Sequence, residues 1–124
     1  MTRDSLTWFE IPVRDLDRAQ TFYETLLDRP LRREAMGPHT MAVFPSAEGR
    51  VGGALLAGSE AAVPAATGTI VYLDVGPSLD ATLARAAQLG AVLACPKVVL
   101  PRDLGVFAHV IDSEGNRVGL HAPA

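Results

Sequence analysis

A carboxylate, Glu10, stands two positions after the chain's one tryptophan, Trp8, and an imidazole, His121, stands two positions after a glycine, Gly119. Two positions is the side-chain period of a β-strand, so each pair shares a face. A carboxylate held in a pocket has a raised pKa and can take a proton as a general base. An imidazole titrates near neutrality and moves protons either way. Tyr72 adds a hydroxyl, and Trp8 a broad ring on which a flat ligand stacks. Each residue also has a plainer reading. Glu10 can pair with an arginine, Tyr72 can be a core aromatic with its hydroxyl at a cavity wall, Trp8 can fill a void, and His121 can be a partly exposed structural histidine. Asp74 and Arg117 read as rim charges, His39 as part of a loop, and the face used by His109 is left open.

The elements that must position these residues come twice. In the first half, residues 7–13 (TWFEIPV) read as a strand and residues 15–28 as a helix. Asp15 is its cap, and Leu16, Ala19, Phe22, Tyr23, Leu26 and Leu27 form one apolar stripe. PLRREA, HTMAVFP and VGGALLA follow as strands. In the second half, residues 68–75 (GTIVYLDV) read as a strand and residues 78–90 as a helix capped by Ser78, with Gly90 at its C′ end. AVLACPKVV, GVFAHVI, the turn DSEGN and the strand RVGLHA complete it. The order in both halves is strand, helix, strand, strand, strand. The Glu-Gly turns at 48–49 and 114–115 share an offset that also pairs Gly53 with Gly119. The small-residue stretch 57–68 reads as a linker between modules of about 1–58 and 67–124. One such module buries too little surface to stand alone, so residues 1–124 are expected to form a single domain of two modules.

Composition narrows the function. The chain has 124 residues, 48% hydrophobic and 20% charged, with a formal net charge of −3. That is enough apolar material for a core, and no basic stripe marks a nucleic-acid surface. RPLRRE is a local basic cluster and reads as a solvated edge strand. Cys95, the sole cysteine, cannot form an internal disulfide and reads as a packed small hydrophobe. No apolar run is long enough to span a bilayer and MTRDSLTWFE has no apolar leader core, so a cytoplasmic protein without membrane or nucleic-acid partners is expected.

WFEIPVRDLDRAQTFYETLLD and GVFAHVIDSEGNRVGLH, set in paired βαβββ modules, resemble the vicinal oxygen chelate superfamily, the glyoxalase I, extradiol dioxygenase and bleomycin-resistance group. The resemblance covers essentially the whole chain. It implies an α+β fold in which two mixed sheets curl around a concave cavity, and a homodimer with pockets where module one of one chain faces module two of the other. Enzymes of this superfamily hold a divalent metal on the concave face through ligands from the first and last strand of each module. Those positions fall on Trp8, Gly53, Ile70 and Gly119, none with a side chain that ligates a metal. The resemblance therefore implies neither metal nor other cofactor at the usual place.

Strand alternation puts Phe9, Ile11 and Val13, Val71, Leu73 and Val75, and Val118 and Leu120 on aliphatic faces that belong against the helices. The mixed faces then line the cavity. Binding falls to Trp8, Glu10, Tyr72, Gly53, Gly119 and His121, with the glycines making room, and proton transfer falls to Glu10 and His121. The expected function is binding of a small organic molecule by a metal-free relative of the bleomycin-resistance branch. The alternative is an enzyme of lyase, isomerase or dioxygenase type that uses metal-free acid–base chemistry or a displaced metal.

Overall fold

The computed structural model describes residues 4–58 and 61–124. Its order is β1 (Trp8–Pro12), α1 (Leu16–Leu27), β2 (Arg32–Met36), β3 (His39–Val43), β4 (Gly52–Leu56), β5 (Tyr72–Asp74), α2 (Leu79–Gln88), β6 (Val92–Val99), β7 (Val106–Ile111) and β8 (Arg117–Ala122). Two four-stranded sheets result, β1-β4-β3-β2 and β5-β8-β7-β6. In each, the first and last strand of the module pair in parallel and the remaining pairs are antiparallel. The architecture is α+β, βαβββ twice.

The helices start and stop where the sequence indicates. The Asp15 side chain accepts from Arg18 N at 3.0 Å, and Ser78 Oγ accepts from Ala81 N at 3.2 Å, so each satisfies an orphan donor of the first turn. Gly90 follows α2 at φ +72°, a conformation that costs a residue without Cβ little. Ala19, Phe22, Tyr23, Leu26 and Leu27 of α1 are buried, and Leu16 packs beside them. With Ile11, Val13, Ala42, Phe44 and Leu55 of the first half, and Leu73, Val75, Leu79, Val118 and Leu120 of the second, they make one core shared by both modules.

The DSEGN turn locks the modules together. Glu114, whose side chain is fully buried, accepts from the backbone N–H of Arg14 and Asp15 at 2.9 Å each and from Arg18 Nε at 2.7 Å. A carboxylate thus sits at the N-terminus of α1, where the free N–H groups and the helix dipole favour an anion. The Arg18 guanidinium, helped by the backbone donors, outweighs burial and holds Glu114 at a pKa of about 2. Asp112 accepts from Tyr23 Oη at 2.6 Å and from the backbone of Glu114 and Asn116. Asn116 donates to Pro12 O at 2.7 Å. Three buried polar residues of one turn therefore find their partners largely in the other module, as burial of polar groups requires. From the other side, Arg85 of α2 donates to the carbonyl of Leu26, in the last turn of α1.

Two elements differ from the sequence reading. The strand expected over residues 68–75 is reduced to Tyr72–Asp74, because only these three pair with β8 in the ladder. His39 opens β3 rather than lying in a loop. At the sheet edges, β2 is exposed along its whole length, as the charged RPLRRE segment indicates. β6 is the corresponding edge strand of the second sheet. Pro96 lies within it, inside the register irregularity between Cys95 and Val98, which is where a residue without an N–H fits a sheet. Cys95 is half-buried there rather than packed away.

Candidate functional site

Each sheet has a face turned away from the core. On the second sheet, the cross-strand register lines up Tyr72 of β5, Gly119 of β8, His109 of β7 and Cys95 of β6 in one row. Gly119 has a definite purpose. A Cβ on it would meet Tyr72 Cδ2 at 2.3 Å, so the tyrosine ring lies flat against the bare backbone. The ring packs edge-on to Phe107, with centroids 5.5 Å apart, and remains 48% exposed. On the first sheet, Trp8 pairs in register with Gly52 and its ring covers that glycine, with Cζ3 3.4 Å from where a Cβ would stand. Trp8 is 41% exposed, and its Nε1 lies 3.4 Å from Glu10 Oε2. The two modules thus repeat one device, a first-strand aromatic laid over a last-strand glycine on the open face.

This geometry corrects two sequence assignments. The room at Gly119 is taken by Tyr72 of its own module rather than left for a ligand. Gly53 faces the core rather than the open side, where a Cβ on it would stand 2.4 Å from the Phe9 ring. The structural counterparts are Ala54 with Gly119 and Glu10 with Tyr72, since Ile11 pairs with Leu55 as Leu73 pairs with Leu120, and Val13 N donates to Leu56 O as Val75 N donates to His121 O. The physical reason is register. The connection before β4 spans residues 44–51, whereas that before β8 spans 112–116. Counting from the turn therefore slips by one position in the first module, and a slip of one exchanges the faces of the sheet. Ile70, the counterpart of Trp8 by this register, lies before β5 begins.

The remaining candidates do not converge within the chain. Glu10 lines a small cleft of about 130 Å³ together with Arg117, Thr69 and Asn116, at the junction of the modules. Tyr72 borders a groove of about 280 Å³ shared with Leu6, Phe9, Arg29, Phe44 and Asp74. His121 lines neither cavity. Its Nε2 lies 2.7 Å from the carbonyl of Leu104 and ties the β6–β7 connection to β8. Asp74 accepts from Gly76 N.

His109 is the residue that sequence reasoning missed. It is 6% exposed, its Nε2 lies 2.7 Å from Tyr72 Oη, and its Nδ1 accepts from Arg117 Nε at 3.0 Å. Burial, and then the Arg117 charge, lower its pKa, so the imidazole is neutral at pH 7. Alternation alone does not reveal its face, because both faces of VFAHVI are apolar. Hairpin counting does. With Ile111 opposite Arg117 across the turn, His109 falls opposite Gly119.

The open faces do not suit the divalent ion of the superfamily's enzymes. The matching first- and last-strand positions hold Trp8, Ala54, Ile70 and Gly119, which offer no side-chain oxygen, sulfur or imidazole between them. Both nitrogens of the neighbouring His109 are engaged, one by a guanidinium cation. Among the described residues no three His, Cys, Asp or Glu side chains come together as a metal-binding group.

Residues 5–27 match the model of a family described as bleomycin resistance protein-like N-terminal. No curated protein sequence matches significantly. Among solved structures the chain is similar to UcmS2, with 27% identity over 97% of this chain and 98% of that one and a TM-score of 0.68. It is also similar to FosX, a genomically encoded fosfomycin resistance protein from Listeria monocytogenes, with 16% identity over 98% and 94% and a TM-score of 0.67. A glyoxylase/bleomycin resistance protein/dioxygenase domain from Frankia sp. EAN1pec gives 20%, 98%, 92% and 0.66 in the same order. The paired βαβββ modules, the shared core and these likenesses give the chain the glyoxalase/bleomycin-resistance fold.

Proposed function

We propose that the protein binds a small organic molecule on the open sheet faces, without the divalent metal of the superfamily's enzymes, in a cavity that a second copy of the chain completes. The observation that carries this reading is the pair of half-exposed aromatics, Trp8 over Gly52 and Tyr72 over Gly119, with the polar group of His109 and Arg117 beside one of them. An aromatic wall with a few fixed polar groups is what a small ligand needs. Neither junction cavity of a single chain, at about 130 and 280 Å³, reaches the usual range for such a site, so a covering surface is required. Pairing the open face of one module with that of the other across two chains supplies it. It also brings Glu10 and Trp8 of one copy toward Tyr72 of the next. Among the described residues no helix is long and apolar enough to cross a membrane, and we place the protein in the cytoplasm, free of nucleic acid.

The second reading, an enzyme using acid–base chemistry, gains support from His109, which holds the Tyr72 oxygen and leaves the phenol proton free to act as an acid. One screen separates the two. Trp8 fluorescence against aromatic and thioether-bearing metabolites finds the ligand, and mass spectrometry then shows whether it is returned unchanged. Binding proper returns it unchanged; a chemically altered product after catalytic amounts of protein overturns the binding reading in favour of the enzyme. Trp8→Ala should weaken the binding by at least about 1 kcal/mol.

A further inference from the structure

The hydrogen bonds on the second sheet run in one direction only. Arg117 Nε–H is a donor and never an acceptor, so His109 Nδ1, 3.0 Å away, must present its lone pair. A neutral imidazole then carries its proton on Nε2 and donates it to Tyr72 Oη at 2.7 Å. The phenol oxygen is thereby the acceptor, and its own proton is left free for another acceptor. Arg117 spends one N–H on His109. Among the described residues no carboxylate forms an ion pair with it, although Glu10 shares its cleft. The carboxylate of β5, Asp74, turns to the backbone N–H of Gly76.

We propose that Tyr72 and Arg117 form a donor pair for an anionic oxygen of the ligand, a carboxylate on a flat aromatic body, with His109 as the residue that positions the tyrosine proton. This rests on the open face being the ligand site and deepens it by naming the ligand's chemistry. The aromatic part of the ligand meets Tyr72 and the edge-packed Phe107, and the anion meets the free phenol proton and the guanidinium.

The test uses the full chain and three probes: 2-naphthoate, neutral 2-naphthamide, and 2-methylnaphthalene, which has no acceptor. Binding is followed by NMR shifts of the Tyr72 and Phe107 rings. The naphthoate should bind at least about tenfold more tightly than the hydrocarbon and more tightly than the amide. Tyr72→Phe, which keeps the ring over Gly119, should remove most of that preference and leave hydrocarbon binding within about twofold. A long-range nitrogen–proton spectrum should show His109 as the Nε2–H tautomer, and Arg117→Leu should shift that tautomer balance, a change that mere packing would not produce. Naphthoate bound no better than the hydrocarbon, or His109 protonated on Nδ1 at neutral pH, overturns the donor pair while leaving the open face as a binding site. Failure of all three probes to perturb these rings overturns the open-face reading and the donor pair with it.

Discussion

Glu114 and Gly119 are single positions on which much depends, for opposite reasons. Glu114 concentrates two backbone donors and Arg18 on one buried carboxylate. Its pKa of about 2 lies below the ordinary value of 4.5, so the ionised form favours the native state. That stability is complete above pH 4.5 and is lost as pH falls toward 2. Allowing for the half-exposed Arg18, it amounts to roughly 2–3 kcal/mol. Urea denaturation of wild type and Glu114→Gln should therefore differ by about that much at pH 6 and converge near pH 2. A constant difference across this range would show that the charge is not what matters. Gly119 acts through what it lacks. Gly119→Ala must push the Tyr72 ring aside, which should cost about 1–3 kcal/mol and also break the contact with His109, read as a shift of the His109 Nε2 resonance.

At the scale of elements, the two helices were legible in the sequence because stripe, cap and stop agree over a dozen residues, and the strand order because the second half repeats the first. What was not legible has a common cause. A strand's faces are set by register, and register depends on connections whose length varies freely. One extra residue beyond the Glu-Gly turn moved Ala54 into the place expected for Gly53. The uniformly apolar β7 concealed the face of His109. Nor could the sequence show that DSEGN is a clasp, since its partners, Tyr23, Pro12 and the start of α1, lie about a hundred residues away. The register of β4 can be tested directly. Gly53→Ala drives a Cβ into the Phe9 ring and should cost about 1–3 kcal/mol by thermal or chemical unfolding. Gly52→Ala meets Ser46 Oγ at 3.3 Å and Trp8 at 3.4 Å and should cost under about 1 kcal/mol. The reverse order would return Gly53 to the open face.

The whole molecule is a shared core with two sheet faces left uncovered, each bearing an aromatic and the second a directed polar group. Covering them with a second copy predicts a dimer of standard interface size, about 1,600 Å² in total or more. Light scattering at micromolar concentration should report twice the chain mass, and a monomer would remove the completed cavity from the account. The central claim, that a small organic molecule binds on the open faces, is tested most directly by mapping backbone and ring NMR shifts while aromatic and thioether-bearing metabolites are screened. At least one compound should perturb Trp8, Gly52, Tyr72, His109 and Gly119 together and leave α1 and α2 unmoved. Perturbation confined to the groove of Leu6, Phe9, Arg29 and Phe44 would contradict the claim.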